Sequence, residues 1–288
     1  MQYVALAIGS CVPAEDFIGR VAEVHTRAAM LALGDESQVT LLAPELGRQP
    51  HGISLDVPAD LLFRSVLVLD ASAAARMGML RLAGGEVTID LRSARRWHCG
   101  LKGLRIDFNQ PDVVEAWRAA CAVLNKDHWN NRFRRTNGAT LNALHDATRR
   151  RDPAAAEKAI CRLIGLGIGR TPEGDDYLVG YFAALWGSSD TSRRFAATLA
   201  PRLEALAVNT EHLSRLYLRA AAVGEVSERI AVIASGIAAG GNKNDIEHDT
   251  AAALAVGHTS GAAAMLGLLC GCGACAEDRT KLVPPMRR

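Results

Sequence analysis

The sequence has few aromatic side chains, almost no net charge and no long apolar run. Only 5% of its 288 residues are aromatic, which disfavours the ring surfaces on which nucleic-acid bases stack. The formal net charge of +2 gives no excess of basic residues for nucleic acid or an anionic membrane surface. No apolar stretch reaches the roughly 20 residues of a membrane helix, and the first residues lack a basic leader. We therefore expect a soluble cytoplasmic protein whose partners include neither nucleic acid nor a membrane.

The cysteines are odd in number, and the usual histidine patterns of metal sites are missing. Seven cysteines fit reduced thiols better than a disulfide framework. A metal site at Cys270, Cys272 and Cys275 would need a fourth ligand, so we favour a run of small residues that ends an apolar helix. Neither H-x-H nor H-E-x-x-H occurs. The sequence requires no cofactor, and Mg²⁺ is the candidate that its paired aspartates leave open.

Residues 1–110 are predicted to form a β-rich domain. Five apolar or alternating runs have the length of strands and are separated by Gly, Pro and Asp: Tyr3–Ile8, Val39–Ala43, Ile53–Val57, Ser65–Leu69 and Val87–Leu91. Between the first two runs, Asp16–Leu33 carries apolar residues at helical spacing, which predicts one early helix.

Residues 111–288 are predicted to form a helical domain, because Ala and Leu, the strongest helix formers, dominate there. The polar and basic segment Asn130–Asn137 is expected to be an exposed connection. The whole chain is therefore expected to be α+β, with a β-rich N-terminal part and a mainly α-helical C-terminal part. The predicted helices are Asp112–Asn125, Gly138–Arg150, Pro153–Ile164, Gly174–Trp186, Thr191–Val208, Glu211–Val223, Val226–Ala234, Asp245–Val256 and Gly261–Cys270.

A glycine-rich turn, G-L-G-I-G-R-T-P-E-G-D-D, precedes one of these helices. Glycines at 165, 167 and 169 allow positive φ and a close approach of a ligand to the backbone. Thr171 is expected to cap the helix and Pro172 to be its first residue. The free N–H groups of the first turn would then point over the loop and hold an anion. The turn is neither a Walker loop nor a dinucleotide fingerprint, because no Gly-Lys-Ser/Thr follows and a helix precedes it.

Three acidic residues, Glu173, Asp175 and Asp176, complicate an anion site at this turn. Acids in a first helical turn are ordinarily explained by the helix dipole alone. With an anion at the turn, three arrangements stay open: the aspartates face away from it, they recruit a divalent cation that bridges to it, or one of them accepts hydrogen bonds from an amide or ureido NH₂ group of the ligand. Because adjacent helical residues diverge by roughly 100°, Asp175 and Asp176 are not expected to share one role equally.

A second turn, Gly257–Gly261, precedes another apolar helix. Thr259 or Ser260 can cap that helix, which again leaves N–H groups at a helix start. His258 stands beside two hydroxyl residues, where it could act as a general base, donate to a developing charge or only decorate the cap.

The segment between the two turns carries a pair of cations. Arg215 and Arg219 stand four residues apart on one predicted helix, with Asn209 and Ser214 close by. Two guanidinium groups one turn apart suit a carboxylate ligand, although such pairs more often lie on a solvated surface.

The three motifs together resemble the AllH-type family. They are G-x-G-x-G-x-T-P-x-G-D-D at 165–176, N-T-x-x-x-S-x-x-Y-L-R-x-A-x-x-G at 209–224 and G-H-T-S-G at 257–261. The resemblance implies a role in purine and ureide breakdown, in a multi-subunit oxamate carbamoyltransferase that interconverts oxalurate and phosphate with oxamate and carbamoyl phosphate. It implies FdrA-like protein subunits as partners, with further copies of the chain as the other option. Arg170 and Glu173 depart from the family pattern, in which an apolar and a small residue are more usual.

Carbamoyl transfer would need a phosphate cradle, donors to a developing oxyanion and a carboxylate clamp. The candidate catalytic residues are Asp175, Asp176 and His258. Two other functions stay open: a non-catalytic scaffold for FdrA-like catalytic subunits, and a metal-dependent amidohydrolase that uses Asp175 and Asp176. The candidate substrate-binding residues are Gly167, Gly169, Arg170, Thr171, Gly174, Asn209, Ser214, Arg215, Arg219, Thr259 and Ser260.

Overall fold

The computed structural model describes residues 1–34, 37–84, 87–127, 132–255 and 259–276. The chain divides into two compact units, Met1–Cys99 and Gly100–Arg288. The first unit holds the strands and the second holds the α-helices, so the predicted α+β class is confirmed.

The first unit is one sheet that closes on itself. Its strands pair in the order β5-β4-β3-β2-β6-β7-β8-β1, and β1 also pairs with β5. Strand β9 joins the edge of β1 beyond the end of β8, because β8 pairs with Gln2–Val4 and β9 with Ala7–Gly9. The strands are β1 (Gln2–Gly9), β2 (Phe17–Val24), β3 (Ala28–Leu33), β4 (Gln38–Leu42), β5 (Gly52–Asp56), β6 (Ser72–Arg76), β7 (Met79–Leu82), β8 (Val87–Asp90) and β9 (Arg95–Trp97).

The core of this unit consists of apolar side chains on the inner face of the closed sheet. Every second residue of a strand points inward, and burial of those side chains supplies the main stabilisation. Fully buried side chains come from six different strands: Val21, Leu31, Leu41, Ile53, Leu80 and Ile89.

The predicted helix at Asp16–Leu33 is wrong, because this segment forms the antiparallel strands β2 and β3. Val21 and Leu31 have helical spacing from their apolar neighbours in sequence, but in the structure they lie on the inner face of two paired strands. The second partner of β2 is β6, where Phe17 pairs with Ala75, and such a distant partner leaves no local signal.

The predicted strand at Ser65–Leu69 is also wrong. A 3₁₀ turn occupies Phe63–Ser65, and the Leu67 N–H donates to the Phe63 carbonyl at 2.8 Å. The other four predicted strands correspond to β1, β4, β5 and β8, whereas β6, β7 and β9 were not predicted.

The second unit contains nine α-helices among its described residues, each at a predicted segment. The expectation of a connection at Asn130–Asn137 is wrong from Arg132 onward, since these residues begin α2. The helices are α1 (Pro111–Asp127), α2 (Arg132–Arg150), α3 (Pro153–Leu163), α4 (Glu173–Gly187), α5 (Asp190–Leu206), α6 (His212–Ala222), α7 (Glu228–Ala238), α8 (Lys243–Leu254) and α9 (Ser260–Cys275).

Helices α4 and α9 form the centre of this unit and run parallel. Side chains on all sides of α9 are buried, as expected for a helix enclosed by others. A Cβ atom at Gly180 would overlap the Ala264 carbonyl oxygen, and one at Gly267 would overlap the Tyr177 carbonyl oxygen. Further along, Tyr181 lies against Gly271. Because Tyr177 lies against Gly267 and Tyr181 against Gly271, these contact positions advance together along both helices, and the two helix starts lie side by side.

Within the described residues, each helix is either too short or too polar to span a lipid bilayer.

Candidate functional site

The glycine-rich turn has the backbone conformation that its sequence predicts. Gly165, Gly167 and Gly169 have φ angles of +70°, +131° and +85°, which side chains rarely tolerate. A Cβ atom at Gly167 would also lie 2.7 Å from the Glu173 nitrogen, so the loop folds tightly over the start of α4.

The start of α4 is largely closed to an anion by its own loop. Pro172, not Thr171, is the N-cap, and Glu173 is the first helical residue. The Gly174 N–H donates to the Leu166 carbonyl at 2.8 Å, and the Asp175 N–H donates to the Pro172 carbonyl at 3.0 Å. The expectation of several free N–H donors in this turn is therefore wrong, because the folded loop accepts from them. Gly174 is itself buried, and a Cβ atom there would overlap the Leu163 carbonyl oxygen.

Asp175 is buried and ties three segments together. One carboxylate oxygen accepts from the Gly165 N–H at 2.8 Å. The other accepts from the Ser214 hydroxyl at 2.7 Å and from the Thr210 hydroxyl. The residue is 1% exposed, as is Ser214. Both oxygens have partners within the protein, so the geometry gives Asp175 and Ser214 a positioning role toward the loop and α6.

Asp176 has a different environment from its neighbour. Burial raises the pKa of Asp176 to about 7, and the charges of Asp175 and Glu173 also raise it. Hydrogen bonding by the Ser260 and Thr171 hydroxyls opposes this rise. Its Oδ2 atom is inaccessible to solvent and has no hydrogen-bond partner within the described part of the chain. A carboxyl group with these properties can exchange a proton near neutral pH.

The structure brings the first and third motifs together. The Thr171 and Ser260 hydroxyl oxygens are 2.9 Å apart, which follows from the side-by-side starts of the parallel helices α4 and α9. Thr259 is the exposed N-cap of α9, and its side chain makes no capping hydrogen bond. The candidate His258, with Gly257, lies outside the described residues.

Tyr217 is a residue of this cluster that the sequence reasoning missed. Burial and the nearby charge of Asp176 raise its pKa to about 12, and the positive charge of Arg170 opposes the rise. The signal was available, because Tyr217 stands three residues after Ser214 on α6 and therefore faces α4 as Ser214 does.

Two residues of the second motif, Arg215 and Asn209, donate to backbone carbonyls close to them in sequence. Arg215 is partly buried, and one of its guanidinium N–H groups donates to the Val208 carbonyl at 3.3 Å. Arg219 is exposed on the same helix. Asn209 is exposed, and its side-chain amide donates to the Leu206 carbonyl at 3.1 Å. Arg170, at the end of the glycine-rich turn, is exposed as well.

Residues 1–34, 37–84, 87–127, 132–255 and 259–276 contain no group of three or more His, Cys, Asp or Glu side chains arranged around a common point. Burial raises the pKa of the Cys270 thiol to about 11, so this thiol is protonated at neutral pH. The packing of Cys272 and Cys275 in the last turns of α9 agrees with small apolar residues at a helix end.

Two surface concavities of the helical unit involve other residues. One lies between α1 and the start of α8 and includes Asp112, Arg118 and Lys243. The other includes Asp107 and Cys275. Neither includes a residue of the three motifs, so the Thr171, Asp176, Tyr217 and Ser260 cluster is identified as the candidate site by its chemistry.

Residues 163–272 match the family model described as oxamate carbamoyltransferase subunit AllH. The matched segment contains all three motifs and the whole cluster, and it confirms the resemblance over these residues. No curated protein and no solved structure matches the chain.

Proposed function

We propose that this protein is a subunit of a carbamoyl-transferring enzyme that acts on oxamate, oxalurate or a related ureide. The family match supplies the reaction class and implies partner subunits. The single observation that carries the site is the junction of α4 and α9, where the Thr171 and Ser260 hydroxyls meet beside Asp176. FdrA-like proteins are the partners that the resemblance suggests.

The anionic part of the substrate is proposed to bind at the outer side of this junction. The first turn of α4 offers few free donors, so the phosphate would rely on the start of α9, where no Thr259 side chain caps the helix, and on Arg170. Arg219, exposed on α6, is the proposed clamp for a carboxylate, with Arg215 one turn before it.

Asp176 is the proposed proton carrier. When phosphate attacks the carbamoyl carbon of oxalurate, a carbon–oxygen bond forms and the carbon–nitrogen bond to oxamate breaks. The phosphate loses one proton and the departing nitrogen gains one, so no other reactant is needed. A carboxyl group whose pKa is about 7 can accept the first proton and give the second. His258, which lies outside the described residues, stays a candidate for the same proton transfer.

The test is carbamoyl transfer by the chain co-expressed with FdrA-like partners. Phosphate-dependent release of oxamate from oxalurate is measured for the wild type, for Asp176→Asn and for Asp190→Asn. Asp190 is a matched control, because it is an exposed acid paired with Arg193 on α5. We expect Asp176→Asn to reduce kcat by roughly 10²-fold or more and Asp190→Asn to leave it unchanged. Full activity of Asp176→Asn in an intact complex would refute the proton-transfer role.

A scaffold function is the second candidate, and the internal hydrogen bonds of Asp175 and of the α4 start favour it. The same complexes distinguish the two functions. A scaffold tolerates Asp176→Asn and Asp176→Ala as long as the complex assembles, and partner subunits alone then retain slow transfer. A metal-dependent amidohydrolase has less support, since Asp175 already uses both oxygens within the protein.

A further inference from the structure

We infer that Asp176 forms a subsite for the NH₂ group of a primary amide, and that Tyr217 donates to the carbonyl oxygen of the same amide. The ligand class is a small anion that carries an H₂N–C=O group at its inner end. This inference rests on the proposed function and gives its site a selectivity for carbamoyl compounds over acyl or carboxylate analogues.

The first observation is an acceptor without a donor. Asp176 Oδ2 is inaccessible to solvent and accepts no hydrogen bond from the described residues. The Thr171 and Ser260 hydroxyls lie 2.9 Å apart and also lower the pKa of this carboxyl by hydrogen bonding, but neither of them donates to Oδ2. Buried polar atoms without partners are rare in folded proteins, and such an atom at a site points to a catalytic role or to a bound group that completes it. An acceptor of this kind calls for an N–H or O–H donor.

The second observation is the pattern of groups around that acceptor. Tyr217 stands three residues after Ser214, whose hydroxyl donates to Asp175, so Tyr217 faces the same part of α4. Burial and the charge of Asp176 raise the pKa of its phenol to about 12, so it stays protonated and can donate at neutral pH. One carboxylate acceptor beside one phenol donor complements the NH₂ and the carbonyl oxygen of a primary amide. A ligand carboxylate in the same place would put one of its charged oxygens against the ionised Asp176 carboxylate, and the like charges would repel each other.

The third observation is the position of the positive charge. Arg170 is exposed at the end of the glycine-rich turn, and its charge acts on Tyr217. The charged end of a ligand would therefore lie outward and its amide inward. Oxamate and carbamoyl phosphate both combine an H₂N–C=O group with an anionic group, whereas oxalate and acetyl phosphate lack the NH₂.

The selectivity should depend on pH. Ionised Asp176 accepts from NH₂, but protonated Asp176 can donate to a ligand carboxylate and so tolerates oxalate. The charges of Asp175 and Glu173 on α4 act on this carboxyl. The carboxyl in turn acts on Tyr217 of α6, where the positive charge of Arg170 on the loop acts as well. From α9, the Ser260 hydroxyl contributes. The preference for oxamate should therefore grow as pH rises through the titration of Asp176.

The experiment is isothermal titration of the full-length chain with oxamate against oxalate, and with carbamoyl phosphate against acetyl phosphate, at pH 5.5 and pH 8. We expect the wild type to bind the amide of each pair about tenfold more tightly at pH 8, and the ratio to fall at pH 5.5. Asp176→Asn should make the ratio independent of pH. Asp176→Ala should bring it close to one.

The matched control is Glu173→Gln, which removes an adjacent acid of the same helical turn and should keep the ratio at pH 8. Circular dichroism shows whether each variant folds. Tyr217→Phe tests the other half of the subsite, and we expect it to bind both amides more weakly. Equal affinities within both pairs at pH 8, an Asp176→Ala variant that keeps the ratio, or binding of none of the four compounds would overturn the inference.

The inference and the proposed function can fail separately. Selective binding of the amides without carbamoyl transfer in the assembled complex would leave the subsite in place and remove the function. Carbamoyl transfer whose selectivity does not depend on Asp176 would keep the function and remove the subsite.

Discussion

Two adjacent aspartates of one motif have different roles because a helix turns by roughly 100° per residue. Asp175 points to the glycine-rich loop and α6, where three donors satisfy its carboxylate. Asp176 points toward the start of α9 and keeps one oxygen without a partner in the described structure. The sequence predicted that the two would not be equivalent, but it did not indicate which of them would be hydrogen-bonded within the protein.

Removal of the Asp176 charge should change how stability depends on pH. Between the ordinary pKa of 3.8 and about 7, the folded protein binds a proton that the unfolded chain releases. The free energy of unfolding therefore falls as pH rises through this range and levels off above it. Asp176→Asn should lack this contribution and be more stable than the wild type by about 1–2 kcal/mol at pH 8. Urea denaturation at pH 5 and pH 8 measures the difference, and equal pH dependence in both proteins would contradict the prediction.

Loss of the Asp175 charge should destabilise the protein. Asp175→Asn would leave at least one of three buried donors without an acceptor and place an amide NH₂ among them. We expect a loss of about 2–4 kcal/mol, because unsatisfied buried polar groups are costly. Ser214→Ala removes a single donor and should cost less, about 1 kcal/mol. Thermal melts rank the two variants, and a harmless Asp175→Asn would show that these hydrogen bonds contribute little.

At the scale of the elements, the close contact of α4 and α9 depends on glycine. Gly180→Ala would force a methyl group into the Ala264 carbonyl oxygen, so we expect a loss of about 3 kcal/mol or more, or a failure to fold. Gly273→Ala is the matched control on α9, because nothing lies within 4 Å of the added methyl group. That variant should be neutral or more stable by up to about 1 kcal/mol. A Gly180→Ala protein with an unchanged melting temperature would mean that the two helices can separate at no cost.

The helices were predictable and part of the sheet was not. Each helix carries its signal within its own 11–19 residues, as repeated Ala and Leu. Strands such as β2 depend on partners far along the chain, and the 3.6-residue spacing of Val21 and its neighbours was misleading. The three sequence motifs found the site region. They could not show that the Gly174 N–H would donate to Leu166, which follows from the conformation of the folded loop. Nor could they show that Tyr217 would lie beside Asp176, which follows from tertiary packing.

At the scale of the whole molecule, the candidate site belongs entirely to the helical unit. The family match, residues 163–272, also lies within that unit. The closed sheet of residues 1–99 has its own apolar core, and the resemblance that predicted the function does not explain that unit. Substitutions of exposed residues on the sheet are a way to ask whether it contributes to assembly with partner subunits.

The hydrogen bonds of Asp175 also limit how this machinery could be transplanted. The loop near Gly165 and the segment Thr210–Ser214 are far apart in sequence but complete one another around a single carboxylate. The loop grafted with Asp175 but without Thr210–Ser214 would bring a buried negative charge that lacks two of its three donors. Transfer of this arrangement to another protein, by engineering or in evolution, would therefore require both segments together.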